Sequence, residues 1–127
     1  MYGYSRTTEL DFGDAVNRIC GELEKEGFGI LTEIDVKATL KKKLDVDFRR
    51  YVILGACNPP FAHRALAAEI DIGLLMPCNV IVYENDGGGS TIAAMNAGLM
   101  ADLTGNTELV AVADEVNAKL KRAVDAV

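Results

Sequence analysis

The sequence predicts an α+β fold in which helices pack on one face of an antiparallel sheet. Three observations carry that expectation. Short apolar runs outnumber long helical patterns, Asn85-Asp86-Gly87-Gly88-Gly89 separates two of those runs as a hairpin turn does, and the two best amphipathic helices stand near opposite ends of the chain. The arrangement is read in chain order below.

Tyr4 to Leu10 alternates loosely and carries Thr7 and Thr8, which predicts a first strand. Asp11 or Asp14 then caps a helix whose apolar residues Phe12, Val16, Ile19, Cys20 and Leu23 recur every three or four positions, and Gly27 ends it. Phe28, Ile30, Leu31 and Ile34 predict a second strand. Asp35 starts a short amphipathic helix with Val36, Leu40 and Leu44 inward and its lysines outward. Arg50 to Cys57 contains the unbroken apolar run Tyr51-Val52-Ile53-Leu54, the pattern of a strand covered on both faces and placed centrally. Asn58 can cap the next helix and Pro59 can fill its first position, where a missing N–H costs nothing. That Ala-rich helix runs to Glu69. After a dip through Ile72 to Pro77, Cys78 to Glu84 and Ser90 to Met95 pair as the hairpin. Asn106 or Thr107 caps a last helix with Leu109, Val110, Ala113, Val116, Leu120 and Val124 on one face. No linker or repeat interrupts the pattern, so residues 1–127 read as one domain.

Composition narrows the function classes. The chain has 127 residues, half of them apolar, enough for a core without disulfide or metal staples. Thirteen Lys and Arg stand against nineteen Asp and Glu, a net charge of -6 that repels phosphate backbones. Together with the lack of aromatic stacking signatures, this disfavours nucleic acid as a partner. No apolar run approaches the ~20 residues that cross a bilayer, so no membrane partner is expected. Three cysteines without dense spacing fit a reducing compartment, and the expected location is the cytoplasm.

Reactive side chains and backbone-fixing residues meet in one place. Cys57-Asn58 and Cys78-Asn79 stand at the ends of apolar segments and bracket the only histidine, His63. If a strand ends at Cys57 and a helix begins at Asn58, the thiol lies beside the unpaired N–H groups of a helix start, which favour thiolate. A free cysteine is equally at home as a small apolar filler, and Cys20, on a buried stripe, reads that way. Asn58 reads first as a helix cap. Asn79 is unusual within a strand, so its amide either faces a polar pocket or bonds a loop. A zinc site from Cys57, His63 and Cys78 matches no zinc spacing, and no metal or cofactor is assigned. Gly87-Gly88-Gly89 is a turn rather than a phosphate cradle, since no Lys-Ser or Lys-Thr follows.

From Phe28 to Tyr83 the chain resembles the bacterial and archaeal family called domain of unknown function 302. The resemblance is carried by Ile34-Asp35-Val36, Leu40-Lys41, Tyr51 through Pro59, Ala62-His63-Arg64-Ala65-Leu66, and Ile72 through Val80. It implies a single α+β domain similar to one half of a TATA-box-binding-protein-like fold, often assembled as a homodimer. It brings no activity. A shared site would map to Cys57, Asn58, Pro59, Pro77, Cys78 and Asn79. The family's usual Asp-Pro after the hairpin is replaced here by Asn96-Ala97. Two readings remain: a thiol-dependent binding or carrier module for a sulfur species, metal or small electrophile, and a non-catalytic dimerising domain that binds a partner protein or a small apolar molecule.

Overall fold

Five strands hydrogen-bond into one antiparallel sheet in the computed structural model, which describes residues 2–127. They are β1 (Gly3–Thr8), β2 (Gly29–Asp35), β3 (Tyr51–Cys57), β4 (Cys78–Glu84) and β5 (Ser90–Met95), in the spatial order β1-β5-β4-β3-β2. Five helices accompany them: α1 (Phe12–Lys25), α2 (Val36–Leu44), α3 (Pro59–Ala68), α4 (Leu99–Thr104) and α5 (Leu109–Asp125). A 3-10 turn, Ile70–Leu75, follows α3. The architecture is α+β, as the sequence predicts.

Alternation along the strands decides the layering. Val52, Leu54 and Ala56 of β3, Val80 and Val82 of β4, and Ile92 and Ala94 of β5 are buried on one face. Ala15, Ile19 and Leu23 of α1 and Val112, Ala113, Val116 and Leu120 of α5 join them in one continuous core. Asp11 nucleates α1, its Oδ1 accepting the Asp14 N–H at 2.9 Å, and Gly27 follows the helix end at a φ of 88°. The hairpin closes through Gly88 and Gly89 at positive φ. A side chain on Gly89 would also collide with the Thr8 carbonyl.

Four local expectations are corrected. The apolar run of β3 does not mark a strand covered on both faces. Tyr51 and Ile53 alternate with the buried residues and are only half-buried, and β4 rather than β3 holds the centre. Their cover is lateral, since Tyr51 stacks on its cross-strand neighbour Tyr83 with ring centroids 5.4 Å apart. In α2, capped as expected by Asp35 through the Ala38 N–H at 2.9 Å, no side chain is buried and Leu44 is 66% exposed. This helix rests against β2 and β3 at the edge of the sheet, which leaves Val36 and Leu40 half-buried and Leu44 exposed. In β2 a bulge between Ile30 and Thr32 breaks the alternation and leaves Leu31 and Ile34 exposed. The last helix begins after Glu108 rather than directly at Asn106 or Thr107. Asn106 still organises its entry, accepting the Glu108 N–H at 3.0 Å and donating to the Ala68 carbonyl at 3.0 Å. Short α4 was not expected at all, although Gly105, in the left-handed conformation, ends it as a glycine commonly does. Among the described residues no helix is long and apolar enough to cross a membrane.

Candidate functional site

Cys57 and Cys78 are twenty-one positions apart in the chain and meet at one end of the sheet. The β3–β4 ladder sets Ala56 opposite Cys78, so Cys57 is one residue beyond that pair. Both thiols are free, half-buried, and line the same apolar pocket. The pocket is small, with a cavity volume of about 30 Å³, and it opens to solvent.

Each wall has a local cause. Cys78 shares the inward parity of Val80 and Val82, whereas Cys57 is the last residue of β3, where the chain turns into α3. Pro59 starts α3 and Phe61, Ala62 and Ala65 bring its inner side over the thiols. Arg64 and Lys119 sit over the Phe61 ring at 5.5 and 6.0 Å. Phe28, Met76 and Pro77 close the pocket from the segments leading into β2 and β4. Met100 of α4 and Val112 and Val116 of α5 form its floor.

Asn58 has a different task from capping. Its side chain makes no cap hydrogen bond; Nδ2 instead donates to the Glu26 carbonyl at 3.1 Å and ties the start of α3 to the end of α1. The amide is 8% exposed, so this bond forms away from bulk water and fixes the junction that carries Cys57. His63 lies on an exposed part of α3 and does not line the pocket. Asn79 is exposed on the opposite face of β4, across from Gly55. The structure therefore joins Cys57, Asn58 and Cys78 and leaves His63 and Asn79 outside.

Gly55 lies on the face of β3 opposite the pocket, where the packing is tight. A Cβ at this position would run into the Thr32 hydroxyl and the Pro77 ring, so the bulged β2 and the entry to β4 close over bare backbone. Electrostatically the pocket is quiet. Apart from the two thiols, no titratable side chain lines it. Hydrocarbon burial, helped by the neighbouring Cys57, pushes the Cys78 thiol up to about 11, so it stays protonated at neutral pH. Cys20, on α1, is half-buried against the core, and burial together with Glu33 raises its thiol as well. Among the described residues, no three or more His, Cys, Asp or Glu side chains are grouped to hold a metal ion.

Two sulfur-bearing residues escaped the sequence reading. Met76 and Met100 line the pocket, and only the short apolar stretch Leu99-Met100-Ala101 ahead of Gly105 signalled the helix that delivers Met100.

The model of the family described as "Domain of unknown function DUF302" matches residues 4–127. The chain belongs to that family. A crystal structure of an uncharacterized conserved protein DUF302 from Bacillus stearothermophilus is similar over 99% of this chain and 98% of its own, at 27% identity and a TM-score of 0.91. No curated protein matches. In this DUF302 chain the Asn96-Ala97 element lies outside the thiol pocket. The Ala97 N–H donates to Asn117 Oδ1 at 2.8 Å, and Asn117 Nδ2 donates to Asn96 Oδ1 at 2.9 Å. A proline at position 97 would have no hydrogen for the first of these bonds.

Proposed function

We propose that this DUF302 chain is a thiol-dependent binding or carrier module that takes a small, soft ligand into the pocket shared by Cys57 and Cys78. The observation that carries this reading is the convergence of two distant cysteines on one apolar cavity free of other titratable groups. Nucleophilic catalysis needs an activated thiolate and a proton acceptor. Hydrocarbon walls keep Cys78 protonated and supply no acceptor, which favours holding a ligand over turning it over. Three free thiols fit a reducing compartment, and we place the protein in the cytoplasm.

The test is a short-reach bifunctional thiol reagent, dibromobimane, applied to the folded chain and read by intact mass. The expected product is one bridge, unchanged in Cys20→Ala and absent in Cys57→Ala or Cys78→Ala. Independent single labelling of the two thiols would overturn the reading.

A second reading, that the chain pairs with a copy of itself, draws on the opposite face of the sheet. Tyr51, Ile53, Ile81, Tyr83, Ala93 and Met95 form an apolar surface that is only half-buried, and Ile34, Leu44 and Phe48 extend it in exposed positions. Four strands at ~4.8 Å and six residues at ~3.3 Å make a patch of roughly 19 by 20 Å. That is about half of the ~800 Å² per partner that a stable dimer uses, to which the exposed Leu44 and Phe48 add, and an isologous pair would bury both patches at once. Sedimentation at micromolar concentration is expected to give a dimer that Ile53→Arg with Ile81→Arg converts to monomer. A wild-type monomer would refute the pairing.

A further inference from the structure

Sulfur is concentrated in the pocket beyond what two cysteines require. Two of the three cysteines and two of the four methionines line this one cavity, with Cys20 and Met95 elsewhere. Thioethers fill apolar gaps anywhere in a core. Here they arrive from unrelated elements, Met76 from the approach to β4 and Met100 from α4, and converge with the thiols at the ends of β3 and β4.

Resting on the paired-thiol reading above, we infer that Cys57, Cys78, Met76 and Met100 form a site for a soft monovalent metal ion, Cu(I). Thiolate and thioether donors select this ion. Divalent zinc is bound by thiolate, imidazole and carboxylate, and no imidazole or carboxylate lines the cavity. Charge argues the same way. A hydrocarbon wall penalises any net charge, and one Cu(I) with one thiolate is neutral, so the remaining sulfurs enter as uncharged donors. On binding, one thiol releases its proton to solvent and a sulfur–copper bond forms. The oxidation state of neither partner changes.

The experiment offers Cu(I), as its coloured bicinchoninate complex, to the full chain without oxygen. One equivalent is expected to leave the chelator. Cys57→Ala and Cys78→Ala should weaken binding by about 100-fold, and Met76→Leu combined with Met100→Leu by about 10-fold, by analogy with the loss on removing groups around a metal. Met95→Leu and Cys20→Ala should leave it unchanged. Leucine closely matches methionine in volume, so the methionine variant keeps its fold and remains decisive if a cysteine variant unfolds; circular dichroism checks both. X-ray absorption of the loaded wild-type chain should give a shell of sulfur alone. No withdrawal of copper, unchanged binding in the double methionine variant, or a shell containing nitrogen or oxygen would overturn the inference. If copper fails while the dibromobimane bridge forms, the metal assignment falls and the paired-thiol pocket stands; if the bridge also fails, both fall.

Discussion

The two faces of this sheet are built from the same strands and differ in everything that follows from cover. On the inner face Leu54, Val80, Val82 and Ile92 are completely buried under α1 and α5. One residue along, Ile53, Ile81, Tyr51 and Tyr83 are equally apolar and only half-buried. Residue type therefore does not set the energetic weight of a position here; the second layer does. The thiol pocket lies where the inner layer thins out, at the strand ends beneath α3, which gives it hydrocarbon walls and an opening.

The largest test of this contrast is a pair of truncations. Leu54→Ala deletes a fully buried side chain and should cost ~2–5 kcal/mol, the range for cavities in a packed core. Ile53→Ala on the outer face should cost less, ~1–2 kcal/mol in the monomer, since part of the removed surface is already wet. Urea denaturation over a range of protein concentrations separates the cases. Equal losses at every concentration would erase the distinction between the faces; a loss at Ile53 that grows with concentration would mean that a second copy covers it.

Gly55 is the point where the outer face is closed, and it sharpens the contrast. Gly55→Ala places a methyl group against Thr32 and Pro77, and overpacking of this kind costs ~1–3 kcal/mol. Unfolding by urea measures the loss, and a wild-type midpoint would mean that β2 is free to move aside.

Cys78 reports the inner face through its proton. Its thiol is pushed from the ordinary 9.0 up to about 11, so the folded chain favours the protonated form. That contribution to stability is complete below pH ~9 and disappears as pH climbs through 11. Wild-type stability should therefore fall over this window more steeply than that of Cys78→Ala. Alkylation of Cys78 at pH 8 should be ~100-fold slower than that of a free cysteine, following the thiolate fraction. Rapid labelling at pH 8 would place Cys78 in water.

How much of this was legible in the sequence depends on the range of the forces involved. Strand and helix positions follow from local periodicity and turn chemistry, so the caps at Asp11 and Asp35 and the Asn85–Gly89 hairpin could be read directly. The run Tyr51-Val52-Ile53-Leu54 misled because apolar sequence does not say whether the cover is a helical layer or a neighbouring ring such as Tyr83. The bulge after Ile30 leaves no compositional mark. At the site, Cys57 and Cys78 stand out as residue types. His63 and Asn79 do not line the pocket, because helix phase points one away and strand parity the other. Met76 and Met100 are unremarkable in the chain and acquire meaning only through tertiary placement.

Asn58 gives the smallest expected effect and the most specific one. A capping residue contributes through the N–H groups of its own helix, and replacing it frays that helix first. Asn58 spends its amide on the Glu26 carbonyl of another helix, so Asn58→Ala should remove about 1 kcal/mol from global stability, the usual net worth of one hydrogen bond. The disturbance should appear at two sites remote in sequence. Hydrogen exchange is expected to accelerate at the C-terminal end of α1 and at the start of α3 together, and the dibromobimane bridge to form more slowly because Cys57 is less well held. Faster exchange confined to α3 would return Asn58 to the role of an ordinary cap, and would leave packing alone to hold Cys57 beside Cys78.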